Sequence, residues 1–157
     1  MTRTVLVIGG TGILAPAVGS LLAAADDVVV VGRMPRPTRA PRATWVDARD
    51  AAALSSALAG ATWDDAVVYG PAVSDESLRS LRSLTPGRLV LVRTSAAADP
   101  ALGILVVPRD TLQLGWREDG AEPRWHSPEE VSRAALAVLA DGAARTLGTV
   151  RPWSDRP

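Results

Sequence analysis

Two kinds of apolar pattern alternate along the chain. Thr4-Val5-Leu6-Val7-Ile8 and the run from Asp27 to Val31 are continuous apolar, β-branched stretches, as in strands covered on both faces. Thr44-Trp45-Val46, Asp65 to Tyr69, Arg88 to Val92 and Gly103 to Val107 predict a third to a sixth strand, and Thr149-Val150-Arg151 a last one. Between them the spacing becomes helical. Ile13 to Ala25 places Leu14, Val18, Leu21 and Leu22 on one face, with Pro16 near the first turn, where a missing N–H costs least. Asp50 to Ala59 predicts a second helix, opened by Asp47 or Asp50 and closed by Gly60. Ser74 to about Leu84 predicts a third, with Asp75 and Glu76 complementing its dipole. Ser127-Pro128-Glu129-Glu130 has the form of a capping box, opening a helix to Ala140 that buries Val131, Ala135 and Val138 or Leu139, with Gly142 behind it. Met34 to Ala43 reads as a loop, and Arg117 to Arg124 as a hairpin turning at Asp119-Gly120 between Trp116 and Trp125.

Nearly all-apolar strands alternating with helices predict a parallel sheet with helices on both faces, a doubly wound α/β architecture. A single domain over residues 1–157 is expected, ending in a polar tail from about residue 152. In such a sheet, ligands bind beyond the carboxyl ends of the strands.

Composition removes several chemistries. The 157 residues contain no Cys, so neither a disulfide framework nor a thiolate nucleophile exists. All 17 basic residues are Arg, which excludes a Lys Schiff base or proton relay, and with 17 Asp plus Glu the formal charge is zero. That balance argues against nucleic acid or an anionic membrane as partner. One His and no Cys make a metal site unexpected. The chain opens on a strand-like run rather than a secretory leader, and no apolar stretch is long enough to span a bilayer. A cytoplasmic location is therefore expected.

The stretch Val5 to Ala15 holds Gly10-x-Gly12-x-x-Ala15 between the first strand and first helix. In that context the glycines predict a dinucleotide turn formed by Gly9, Gly10, Thr11, Gly12, Ile13, Leu14 and Ala15. Gly10 permits the turn, Gly12 lets a pyrophosphate approach the amides, and Ala15 allows close packing of helix on strand. The second strand ends in Val31-Gly32-Arg33 where an NAD site usually carries an acid, and Arg36, Arg39 and Arg42 follow. A guanidinium binds a 2′-phosphate that an acid would repel, so NADP(H) is the expected cofactor. Asp47 suits either an adenine contact or a helix cap.

These residues resemble the short-chain dehydrogenase/reductase superfamily in its atypical, NmrA-like and flavin-reductase-like branch. The resemblance is carried by GGTGILA, VGR, WVDARD and VVYGP after successive strands, with RTSAA and HSPEEVSRAALAVL extending it. It implies a Rossmann-like fold, NADP binding and hydride transfer to or from a small molecule. Tyr69 and Gly70, after the fourth strand, then join the cofactor set. The family's Tyr-x-x-x-Lys pair and catalytic Asn have no counterpart, since the chain lacks Lys and Asn. About ten residues separate Val92 from Gly103, too few for the helix that carries the pair. A shortened member without that relay is expected, pairing as a homodimer to cover an exposed sheet flank.

The remaining candidates for chemistry are few. Thr94 and Ser95 end the fifth strand, where the family's active-site serine sits; a hydroxyl there hydrogen-bonds either a substrate carbonyl or its own loop. Tyr69 suits a wall of the nicotinamide site or a proton donor, and His126 a general acid or a packed residue ahead of a helix cap. Trp116 and Trp125 predict a flap over a hydrophobic substrate or a plain cross-strand pair, and Arg93 an anion clamp or a surface cation. The leading expectation is an NADP-dependent reductase of a small, fairly hydrophobic carbonyl, enone or quinone-type substrate, of the kind found in biosynthesis. The alternatives are a non-redox cyclase, isomerase or dehydratase on the same fold, and a non-catalytic NADP-sensing or interaction protein.

Overall fold

Seven of the apolar strands pair side by side, all in one direction. The computed structural model describes residues 2–120 and 122–157; Met1, within the expected domain, and Ala121, within the expected hairpin, lie outside them. The strands are β1 (Thr4–Ile8), β2 (Asp27–Gly32), β3 (Arg42–Trp45), β4 (Asp65–Tyr69), β5 (Leu89–Arg93), β6 (Thr111–Leu114) and β9 (Arg145–Leu147), in the order β3-β2-β1-β4-β5-β6-β9. β7 (Trp116–Arg117) and β8 (Arg124–Trp125) form a separate antiparallel hairpin with Trp116 opposite Trp125. Leu6 sits between Val29 of β2 and Ala66 of β4, which places β1 inside the sheet beside the central β4, with the order reversing between the two. That reversal opens a crevice at the carboxyl end of β1.

Alternate residues of each strand feed two cores. Val5, Val7, Val28, Val30, Val67 and Val90 pack beneath α1 (Ala15–Ala23) and α4 (Pro128–Asp141), against Leu14, Val18, Leu21, Val131 and Val138. Leu6, Ile8, Val31, Ala66, Val68 and Leu89 face α2 (Ala51–Ala57) and α3 (Asp75–Ser83), against Leu54 and Leu81. Each of these valine, leucine and isoleucine side chains is worth about 1.5–3 kcal/mol when fully buried. The result is a Rossmann-like α/β domain.

The helix starts follow their sequence signals. Ser74 accepts the Ser77 amide, and Asp50, not Asp47, caps α2 by accepting the Ala53 amide. Ser127 and Glu130 form the expected capping box, and Gly142 ends α4 in a left-handed conformation at φ 73°.

Two strands lie elsewhere than expected. The sixth is Thr111–Leu114, not Gly103 to Val107, whose Ile104 is 95% exposed in the loop ahead of it. β6 carries no apolar strand pattern because its alternate residues, Thr111 and Gln113, are polar yet buried. Gln113 Nε2 donates to the carbonyls of Thr94 and Leu114, and its Oε1 accepts from Arg93, so burial leaves its amide satisfied. The last strand is Arg145–Leu147 rather than Thr149 to Arg151, although Thr149 does bridge to Trp116. The segment after residue 152, expected as a polar tail, folds back in a short 3-10 turn, Trp153–Asp155. No helix among the described residues is long and apolar enough to cross a membrane.

Candidate functional site

The turn between β1 and α1 distributes its glycines by geometry. Gly9 takes φ +94°, the conformation that the tight turn needs, and its carbonyl accepts the amides of Gly12 (3.1 Å) and Leu14 (3.3 Å). At Gly10 a Cβ would lie 3.0 Å from Cγ2 of both Val18 and Val30, so this glycine is what lets helix meet sheet. At Gly12 the nearest atom to such a Cβ is 3.9 Å away, which leaves the backbone open from outside. Among the described residues no acceptor takes the N–H of Thr11 or Ile13. Unpaired amides at the start of a helix form an anion cradle.

A cavity of about 430 Å³ opens over this turn, lined by Gly9, Thr11, Gly12 and Ile13 on one side and by Arg33, Arg36, Asp47 and Arg49 on the other. Asp47 binds Arg49 through Nε and Nη2, both at 3.2 Å, and through its amide at 3.1 Å. The Arg49 side chain, then its backbone amide, hold the Asp47 carboxyl below its ordinary range, with Arg33 adding a smaller effect. The rim is therefore cationic on balance: three guanidinium groups against one carboxylate already partnered by Arg49.

A second cavity of about 260 Å³ lies at the carboxyl ends of β5 and β6 and shares two lining residues with the first, Ile13 and Tyr69. The Tyr69 ring packs against Gly9, where a Cβ would come within 2.9 Å of Tyr69 Cβ. Burial pushes the Tyr69 phenol above its ordinary pKa, so the hydroxyl stays protonated through the neutral range. Thr94, Ser95, Leu114, Trp125, His126 and Val131 complete most of the wall.

His126 is held rigidly beside it. Its Nδ1 lies 2.9 Å from Glu130 Oε2, its side chain is 6% exposed, and its Nε2 has no partner among the described residues. Glu130 also accepts from Arg117 (2.6 Å), Arg124 (3.2 Å) and the Ser127 amide. Its bond to His126, followed by those to Arg117, Ser127 and Arg124, brings its pKa down to about 2. An anionic Glu130 is an orienting partner for the imidazole ring.

Several residues expected at the site lie elsewhere. Leu14 is fully buried in the core and Ala15 is exposed beside Gly10, so neither lines the two cavities, and the close packing expected of Ala15 belongs to Gly10. Gly70 presses on the Val92 carbonyl and opens the turn whose Pro71 and Ala72 reach the larger cavity. Trp116 is fully buried, with its ring edge-on to Trp153 at 6.1 Å, because the hairpin turns it inward; only Trp125 of the pair faces the cavity. Arg93 donates to Gln113 (3.1 Å) and the Val106 carbonyl (2.8 Å), so it ties down the loop before β6 instead of clamping a ligand. Arg42 pairs with Asp27, and Arg39 lies over Gly19 of α1, which leaves Arg33 and Arg36 at the rim.

Two lining residues carried no readable signal. Arg49 reaches the larger cavity through its pairing with Asp47, and Arg156 reaches the smaller one because the last residues fold back. Among the described residues no group of three His, Asp or Glu side chains is arranged to hold a metal.

No family profile and no curated protein matches the sequence. Solved structures resemble it in fold. An oxidoreductase of the short-chain dehydrogenase/reductase family from Burkholderia thailandensis aligns at 18% identity and TM-score 0.59, over 94% of this chain and 91% of that one. A short-chain dehydrogenase from Leptospira borgpetersenii with bound NAD+ aligns at 12% identity and TM-score 0.58, over 94% and 91%. The Bordetella bronchiseptica enzyme WbmH in complex with NAD+ aligns at 11% identity and TM-score 0.63, over 94% and 75%. At these identities the likeness is one of fold.

Proposed function

We propose that the chain binds NADP(H) over the larger cavity, with the nicotinamide at the Ile13–Tyr69 wall that both cavities share, and reduces a small, largely apolar carbonyl or enone held in the smaller one. The observation that carries this reading is that the two cavities are neighbours with Ile13 and Tyr69 in both walls. One end is a glycine turn with unpaired amides and a cationic rim, and the other a mostly apolar chamber with a few polar groups. The open backbone at Gly12 and the N–H groups of Thr11 and Ile13 suit a pyrophosphate. Arg33 and Arg36 suit a 2′-phosphate, and the bonds of Arg49 offset the Asp47 charge that would otherwise repel it. Two of the fold neighbours are described with bound NAD+, which supports a nicotinamide cofactor on this architecture.

A bound reduced nicotinamide supplies the hydride. The chain's own part is to position, exclude water and deliver a proton. Ile13, Leu114 and Val131 make the chamber apolar, Tyr69 lines both cavities with a neutral hydroxyl, and Ser95 offers a hydroxyl at the end of β5. Tyr69 is the proposed proton donor to the substrate oxygen. His126 has Nδ1 taken by Glu130 and Nε2 buried beside Gly148, so its part is to build the wall.

Calorimetric titration of NADPH and NADH against wild type and Arg33→Ala tests the reading. Tighter binding of NADPH, with the preference falling about tenfold in Arg33→Ala, is the expected result, since one charge-assisted bond contributes about 1.5–3 kcal/mol. Binding of neither nucleotide by wild type overturns it. A turnover screen with enones, quinones and flavins then separates a reductase from a nucleotide sensor.

A further inference from the structure

The end of the chain builds something at the smaller cavity that the proposed reaction does not require. Trp153 is anchored edge-on against the buried Trp116, and Arg151 Nη1 donates to the Ala98 carbonyl at 2.9 Å. These contacts bring Arg156 back over the cavity. Its guanidinium carbon lies 5.1 Å from the Trp153 ring centroid and 5.6 Å from that of Trp125, and its Nε donates to Ser95 Oγ at 3.2 Å. The two indoles and the bond to Ser95 hold this exposed group at the cavity mouth.

What it lacks is a counter-charge. No carboxylate lies within ion-pairing distance of Arg156 among the described residues, and no Asp or Glu lines the cavity. Its two Nη groups have no hydrogen-bond acceptor there either. Many other arginines of the chain are paired, including Arg3, Arg42, Arg88, Arg117 and Arg145. A guanidinium fork oriented by aromatic faces, with both Nη groups unclaimed at the mouth of an apolar chamber, matches a planar carboxylate in shape and charge.

We propose that the substrate of the smaller cavity carries a carboxylate, bound in bidentate fashion by the Nη groups of Arg156, with its apolar body among Ile13, Leu114 and Val131. Arg156 is then the residue that selects an anionic over a neutral substrate. Because Ser95 bonds the same guanidinium, its hydroxyl is coupled to that selection. This rests on the reading that the smaller cavity receives the substrate, and it adds the substrate's charge class.

The probe is an aryl enone with a ring carboxylate, 4-(3-oxobut-1-enyl)benzoate, compared with its neutral methyl ester. Each is titrated into the NADP+-saturated full chain, followed by calorimetry and by intrinsic tryptophan fluorescence, to which Trp125 and Trp153 contribute beside the cavity. Wild type should prefer the carboxylate by about tenfold or more, Arg156→Ala should bind both forms alike, and Arg156→Lys should recover part of the preference. Equal binding of both forms by wild type overturns the proposal, as does binding of neither. An Arg156→Ala loss equal for acid and ester also overturns it, since a purely structural strap would act on both. Failure of the parent reading looks different: NADPH does not bind, while the carboxylate preference in the chain without nucleotide is intact.

Discussion

Ser132 Oγ donates to the Ile13 carbonyl at 3.1 Å, across 119 residues of chain. Ser132 is buried, and Ile13 lines both cavities. The bond fastens α4 to the glycine turn, so a helix late in the chain sets the position of a cradle built near its beginning. Ser132→Ala should lower stability by about 1 kcal/mol, a drop of about 2–4 °C in Tm, and should weaken NADPH binding. Thermal melts and calorimetry on the variant check both effects.

Gly10 and Gly12 should respond in opposite ways to the same substitution. Gly10→Ala drives a Cβ against the valine methyls of α1 and β2 and should cost about 1–3 kcal/mol by overpacking. Gly12→Ala meets nothing closer than 3.9 Å and should leave the urea midpoint nearly unchanged, yet reduce NADPH affinity at least about tenfold by blocking close approach of a pyrophosphate. Equal loss of nucleotide affinity per unit of lost stability in the two variants would count against a cradle at Gly12.

Tyr69→Phe retains the ring that packs on Gly9 and removes only the hydroxyl. Nucleotide affinity should stay within about twofold while kcat falls about 100-fold, the usual scale of a lost general acid. Because burial raises the phenol pKa, the wild-type rate should show no alkaline decline from this group until well above neutrality. Stopped-flow measurement of hydride transfer from pH 6 to 10 provides the comparison.

Glu130 should leave its mark on acid stability. Its pKa is about 2 in the fold against an ordinary 4.5, so the folded state holds the carboxylate more strongly than the unfolded chain does. Its contribution is therefore complete above about pH 5 and is lost as pH falls from there toward 2. Urea midpoints of wild type and Glu130→Gln should differ at pH 7, draw together as pH falls below about 5, and converge only at about pH 2. A constant gap across that range would mean that the charge on Glu130 is immaterial.

Legibility along the chain follows how local each cause is. The capping box at Ser127–Glu130 and the N-cap at Ser74 needed only neighbours within a turn, and both form as the sequence predicts. Gly103 to Val107 reads as a strand because propensity counts apolar β-branched residues without knowing what covers them. The stretch is loop, and the sheet instead takes up Thr111–Leu114, whose buried Gln113 depends on Arg93 of β5 and the Thr94 carbonyl, some twenty residues away, to complete its bonds. Arg42 and Arg33 look alike in a basic loop; Asp27, a partner on the next strand, takes one of them, and the other remains at the rim.

Order and spacing along the backbone alone dictated a parallel α/β sheet, a glycine turn after its first strand, and the absence of Lys and Cys chemistry. These follow from periodicity, backbone conformation and composition, which each segment carries within itself. The placing of Tyr69 in the walls of two cavities, the burial of Trp116 and the return of Arg156 over the second cavity were settled by folding. Each depends on contacts between segments tens of residues apart, and no local pattern encodes which distant side chain will fill a given space.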